Sequence, residues 1–118
     1  MTTTQDLNKA VFRRYLQAFS AGDLDAFDEL VAPDYVNHSP SIPDPAPGPA
    51  GLRPIVRQLR ALAPDLRFEE VALVAEGDLL AAHLLVHGVG DAPVRQIQVE
   101  RFRDGRIVEH WRATGDGT

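Results

Sequence analysis

Gln96, Gln98 and Glu100 stand at every second position of the segment VRQIQVERFR, and Phe102 follows in the same phase. Side chains two residues apart on an extended chain share a face, so three polar groups would line up beside one aromatic ring. Turned into a concavity, this row would orient a carbonyl or an enol. Turned to solvent, it would be a wet strand face, with Ile97 and Val99 pointing inward. Glu100 carries the same fork. Enclosed, it loses hydration, its pKa rises and it becomes an acid or base working near neutrality; exposed, it pairs with an Arg. Tyr15 falls among Phe12, Leu16 and Phe19, either as a core tyrosine whose hydroxyl reaches water or a carbonyl or as a phenol aimed into a cavity. His38 would relay a proton near pH 7 at a pocket mouth, or simply occupy a surface turn. His83 and His87 share a strand face with Leu79, Ala81 and Leu85 and read as contact-surface residues.

Several other chemistries lack their residues. The chain has no Cys, which removes disulfides, thiolate nucleophiles and Cys zinc sites. No HxH spacing occurs, and the HxxxH pair His83 and His87 falls in a segment read as a strand, where residues four apart lie about 13 Å from each other; no metal is expected. Ser39 and His38 are neighbours whose side chains diverge in an extended segment, and no GxSxG elbow is present. The GVGDAP segment precedes a strand, whereas dinucleotide-binding loops open a helix.

These residues must be positioned by two kinds of element. Leu7, Val11, Phe12, Tyr15, Leu16 and Phe19 recur at helical spacing, and Gly22 stands where a left-handed residue would end the helix. The spacing predicts a first helix over residues 4–20. Asp23 as cap and the stripe Leu24, Phe27, Leu30, Val31 predict a short second helix stopped by Pro33. The segment DYVNHSP reads as extended, and SIPDPAPGPAG as a loop whose prolines forbid regular hydrogen bonding. Leu52, Ile55, Val56, Leu59 and Leu62 predict a third helix, with Pro54 in its first turn. From Leu66 the pattern becomes four strands joined by tight turns, an antiparallel meander. Helices first and strands after them point to an α+β fold, one domain over residues 1–118. The strand from Leu79 to His87 is apolar on both faces, so a second protomer is expected to cover the face the helices leave bare; a monomer with a wet outer face is the alternative.

At 118 residues, a single core suffices without metal or disulfide staples. The net charge of −5 disfavours a phosphate-tracking nucleic-acid binder. MTTTQDLNKA lacks a basic, apolar leader pattern and no membrane-length apolar run occurs, so neither nucleic acid nor membrane is an expected partner and a cytoplasmic protein is expected.

Three segments, RRYLQAFSAGDLDAFDELVAPDYVNHSP, AEGDLLAAHLLVHG and VRQIQVERFRDGRIVEHW, resemble the SnoaL-like polyketide cyclase family of the nuclear-transport-factor-2-like superfamily, which also holds the ketosteroid isomerases. The resemblance spans nearly the whole chain. It implies a cone-shaped α+β barrel, with three N-terminal helices packed in a curved, mainly antiparallel sheet around one apolar pocket, and a homodimer through the outer sheet face. Residue by residue, it places Tyr15 where the isomerases carry the tyrosine that donates to an enolate oxygen. The isomerase base aspartate falls at Ser39, with His38 beside it and Asn37 on the same face as Ser39. The second oxyanion donor corresponds to Gln98. Trp111 matches a pocket-lining position, which would turn His110 outward. The acid-base aspartate of the cyclases falls at Gly115, with Asp116 one residue late. The loop between the third and fourth strand regions, Gly88 to Pro93, is shorter than in the cyclases, which implies a more open mouth.

The resulting expectation is a cofactor-independent enzyme acting on a small apolar or aromatic carbonyl compound through an enol or enolate, by aldol cyclisation or isomerisation. Tyr15 and Gln98 would hold the oxyanion. Glu100, His38 or Asp116 would move the proton, while Asn37, Ser39, Gln96, Phe102 and Trp111 would contact the ligand. Two alternatives stand beside it: a non-catalytic binding or accessory protein, since Ser39 and Gly115 replace both family carboxylates, and epoxide-hydrolase-like addition of water.

Overall fold

The computed structural model describes residues 2–115. Helix α1 (Thr4–Ala21) opens on a reciprocal cap, in which Asp6 N–H donates to Thr3 Oγ1 and Thr3 N–H donates to the Asp6 carboxylate. It closes at Gly22, whose φ of 70° and ψ of 28° let its N–H turn back to the carbonyls of Ala18 and Phe19. Phe12, Tyr15, Leu16 and Phe19 form its buried stripe.

The next segment departs from the expected short helix. A 3-10 turn (Leu24–Ala26) leads into a single α-turn, α2 (Phe27–Leu30), and the Asp23 side chain makes no capping bond. Val31 is β-branched and leaves the helix to open strand β1 (Val31–Asn37), where it lies opposite Ile107. Pro33 therefore does not stop a helix. It sits in β1, an edge strand, where a missing N–H costs no ladder bond on the open side.

Helix α3 (Pro49–Leu62) also starts earlier than the apolar stripe suggested. Pro49 takes the first helical position, which suits its fixed φ, and Pro54 consequently falls inside the helix rather than in its first turn. Gly48 precedes it with φ 74° and ψ −165°, a region open essentially to glycine alone. The Gly48 N–H donates to the Tyr35 carbonyl at 2.9 Å, tying the proline-rich loop to β1.

Four strands follow as expected: β2 (Arg67–Glu76), β3 (Leu79–His87), β4 (Val94–Arg103) and β5 (Arg106–Thr114). Asp104 and Gly105 both take positive φ, the conformation of a two-residue hairpin turn that matches strand twist. The sheet order is β1-β5-β4-β3-β2; β1 runs parallel to β5 and every other pair is antiparallel. The result is an α+β barrel, three helices in the hollow of an unclosed five-stranded sheet. Leu80, Ala82, Leu84 and Val86 of β3 face the helices and are buried. An Arg13–Glu70 pair, bonded at 2.9 and 3.2 Å, fastens α1 across β2.

The opposite sheet face carries a cross-strand row of Val74, Ala81, Val99 and Trp111 in direct register. Val74 is 62% exposed and Ile97, in the adjacent row, 42%. On this face His83 bonds Arg95 at 2.6 Å and His87 bonds Glu69 at 2.8 Å. No helix among the described residues is long and apolar enough to cross a membrane.

Gly48 generates a stability prediction. A Cβ there would lie 2.5 Å from the Pro33 carbonyl oxygen, in addition to the backbone strain of roughly 1–3 kcal/mol. Gly48→Ala is expected to lower the melting temperature by at least about 5 °C, whereas Gly90→Ala, with open space around the added methyl, should leave it unchanged by calorimetry.

Candidate functional site

Between the helices and the inner sheet face lies a cavity of about 510 Å³, in the range that accommodates a small organic molecule. Its two walls differ in chemistry because they come from different elements. One is apolar, built from Leu16 and Phe19 of α1, Ile55 and Leu59 of α3, and Phe68 and Val86 of the sheet. The other is polar, with Asn37 from β1, Gln96 and Gln98 from β4, and His110, Arg112 and Thr114 from β5. Leu62, 77% exposed, and Val89, 42% exposed, also line the cavity and mark its mouth.

Beneath the polar wall, Glu100 is completely buried and lies directly across the β4–β5 ladder from His110. Its carboxyl oxygens are 2.6 and 2.9 Å from His110 Nδ1. Burial pushes the Glu100 pKa up to about 7, against the opposing pull of His110 and of the Arg112 charge. With Nδ1 engaged, no bond among the described residues occupies His110 Nε2, and the ring lines the cavity. A carboxylate accepting from Nδ1–H holds the imidazole in the tautomer whose Nε2 carries a lone pair. Such a pair is able to take a proton from a bound molecule and return it.

Tyr15 also lines the cavity, 2% exposed, with its hydroxyl 3.3 Å from that of Tyr35. Burial raises the pKa of both phenols, with the nearby Glu100 charge acting in the same direction. Tyr15 therefore stays a neutral hydrogen-bond donor at every physiological pH. Gln98 is 4% exposed; its Nε2 donates to Gln96 Oε1, and its own Oε1 has no hydrogen-bond partner. The amide thus keeps an unpaired acceptor, while one of its two N–H donors is spent on Gln96.

The sequence-derived residues are thus brought together only in part. Tyr15, Asn37, Gln96 and Gln98 line the cavity, and Glu100 lies under it. Asn37 spends its Oδ1 on the Ser39 N–H at 2.9 Å. Phe102 is buried in the core cluster and does not line the cavity. Ser39 serves the backbone instead: its Oγ accepts from Arg112 N–H and its carbonyl from Arg112 Nη2, each at 2.9 Å. His38 and Trp111 stand outside, stacked with ring centroids 4.8 Å apart, and His38 Nε2 bonds Glu109 at 2.9 Å. The reversal of His110 and Trp111 has a local cause. The β4–β5 register pairs Phe102 with Ile107 but Arg101 with Glu109, so Val108 is an extra residue and the alternation of β5 inverts past it. Asp116 lies outside the described residues. Among those described, no three His, Asp or Glu side chains converge as metal ligands would. Tyr35, His110 and Arg112 were missed. Tyr35 and Asn37 share a phase on β1, a signal that was available, whereas the orientation of β5 was hidden by the bulge.

No curated protein matches the chain by sequence. Solved structures do. A protein of Bacillus cereus ATCC 10987, named as a polyketide cyclase, superposes with a TM-score of 0.82 at 19% identity, over 94% of this chain and 76% of its own. IdmH of Streptomyces antibioticus, likewise named as a polyketide cyclase, gives 0.76 at 26% identity over 92% of both chains. Its variant with residues 96–104 truncated from a loop gives 0.77 at 30% identity, over 92% of this chain and 93% of the variant. AclR of Streptomyces galilaeus, named as a hydroxylase, gives 0.70 at 25% identity over 92% and 88%. The model of the SnoaL-like domain matches residues 12–110, from the buried Phe12 to the imidazole of the polar wall, and the chain belongs to that family.

Proposed function

We propose that this protein is a cofactor-independent enzyme that enolises a small carbonyl compound, by aldol cyclisation or double-bond isomerisation. The observation that carries the reading is a buried Glu100–His110 pair at the polar wall of a cavity whose lining also includes the neutral Tyr15 hydroxyl. His110 Nε2 removes a proton from the carbon next to the carbonyl, and Glu100 stabilises the imidazolium that forms. Tyr15 donates to the carbonyl oxygen as it becomes an enolate, with Tyr35 orienting its hydroxyl. In a cyclisation, the enolate carbon then attacks a second carbonyl of the same molecule, and the new alkoxide takes the proton back from His110. In an isomerisation, the proton returns to a different carbon. A hydrogen bond aimed at developing charge in a dry site is worth more to the transition state than to the ground state.

The dyad takes over the task that Ser39 and Gly115 are unable to perform in place of the family carboxylates. The competing reading, a binding protein without turnover, draws on those same two replacements and predicts saturation without product. Water addition lacks its acidic partners, since no Asp is among the described lining residues. The apolar outer row through Val74, Ala81, Val99 and Trp111 supports a homodimer through that face.

Four outcomes test these readings. In deuterated water, a panel of polycyclic monoketones followed by NMR should show exchange of the α-proton faster than in buffer alone, and Tyr15→Phe should slow the enzyme-dependent part by about tenfold or more; an unchanged rate removes the mechanism. The rate should rise with pH through about 7 as Glu100 ionises, and Glu100→Gln should abolish that limb. Because the folded pKa of Glu100 lies above its unfolded value of 4.5, its contribution to stability is complete below that value and is lost as pH rises through about 7. Glu100→Gln should accordingly melt higher than wild type at pH 8 while being less active. Finally, Ile97→Glu should sediment as a monomer with an unchanged circular dichroism spectrum, if wild type sediments as a dimer.

A further inference from the structure

The polar wall holds one fixed positive charge and no carboxylate. Arg112 is the only Lys or Arg among the described lining residues, and no Asp or Glu is among them. One N–H of its guanidinium is spent on the Ser39 carbonyl. No carboxylate lies within ion-pair distance of it among the described residues, in contrast to Arg13, Arg14, Arg53, Arg101 and Arg103, each of which has one. Its charge also acts on Glu100, which is itself bonded to His110. A partly buried guanidinium with unused donors is a site for an anion, which it binds through two parallel hydrogen bonds.

A second, independent observation lies next to it. Gln98 is the direct cross-strand partner of Arg112, and its buried Oε1 has no donor. Leaving such an acceptor unsatisfied costs about 1–3 kcal/mol, a cost that a ligand O–H would remove. Facing residues of an antiparallel pair start from Cβ atoms about 5 Å apart on the same sheet face, so one small molecule is able to meet both side chains. The opposite wall is apolar and takes the carbon skeleton.

Resting on the enolisation reading, we infer that the substrate carries, apart from the carbonyl that Tyr15 receives, a carboxylate and a neighbouring hydroxyl, as in a keto-substituted hydroxyaryl carboxylic acid. The carboxylate sits on Arg112 and the hydroxyl donates to Gln98 Oε1. A ketone or ester without the carboxylate then binds more weakly than the corresponding acid, because it leaves the guanidinium without an anion.

Isothermal titration of the full chain with three probes tests this: 3-hydroxy-2-naphthoate, its methyl ester, and 2-naphthoate, which lacks the hydroxyl. The hydroxy acid should bind about tenfold or more tightly than either of the others. In Arg112→Gln the preference for acid over ester should fall to within about twofold, while Arg112→Lys retains it. Gln98→Leu should erase the preference for the hydroxyl and keep the preference for the charge. Equal binding of acid and ester by wild type overturns the inference and leaves the cavity reading standing. So does an Arg112→Gln variant that weakens both ligands equally, since a guanidinium that only staples Ser39 would act in that way. Failure of all three probes to bind overturns the inference together with the small-molecule reading on which it rests.

Discussion

Burying a carboxylate without a partner is among the most expensive things a small domain can do, and Glu100 has no solvent exposure at all. What makes its place tenable is the imidazole directly across the ladder, and that imidazole faces inward only because β5 carries one extra residue at Val108. Without the bulge, Trp111 would turn into the cavity and His110 out to solvent, leaving Glu100 facing an indole that is unable to neutralise it. The β5 side of the polar wall depends on the same register. Arg112 and Thr114 reach the cavity in phase with His110, and β1 meets β5 with Asn37 opposite His110.

The two ends of the chain were unequally legible. The first helix, the four late strands and their turns follow from local rules: 3.6-residue spacing, the left-handed Gly22, and paired turn residues such as Asp104 and Gly105. The inward turn of Gln96, Gln98 and Glu100 was open from alternation alone, because a wet face would have had the same pattern; what settles it is the helices covering that side. Strand β5 was illegible in detail, since a bulge is chosen by the fit of the whole ladder and leaves no dependable mark in one strand's sequence. The same holds for β1. Pro33 and Val31 gave contrary local signals, and the parallel pairing with β5 joins segments some seventy positions apart, which only the assembled sheet brings together.

His38 illustrates how a neighbouring error propagates. Placed by homology of position, it stood beside a supposed base; placed by β1, it lies on the far side of the sheet, stacked on Trp111 and bonded to Glu109. The two aromatic rings and the carboxylate form a small polar-aromatic border to the apolar row on the outer face. One sheet therefore separates two environments: a half-polar hollow occupied by the helices, and an outward surface whose Val74 and Ile97 remain in water within the single chain.

The mouth of the cavity is shaped by the tip of α3 at Leu62 and the loop bearing Val89, whereas the titratable groups stand at the middle of β4 and β5. Size selection and proton transfer thus reside on segments that share no backbone hydrogen bonds, and one is free to change while the other is held. Lineages descended from such an ancestor would diversify by lengthening or trimming the rim, acquiring new guests without having to reinvent the acid and base beneath them.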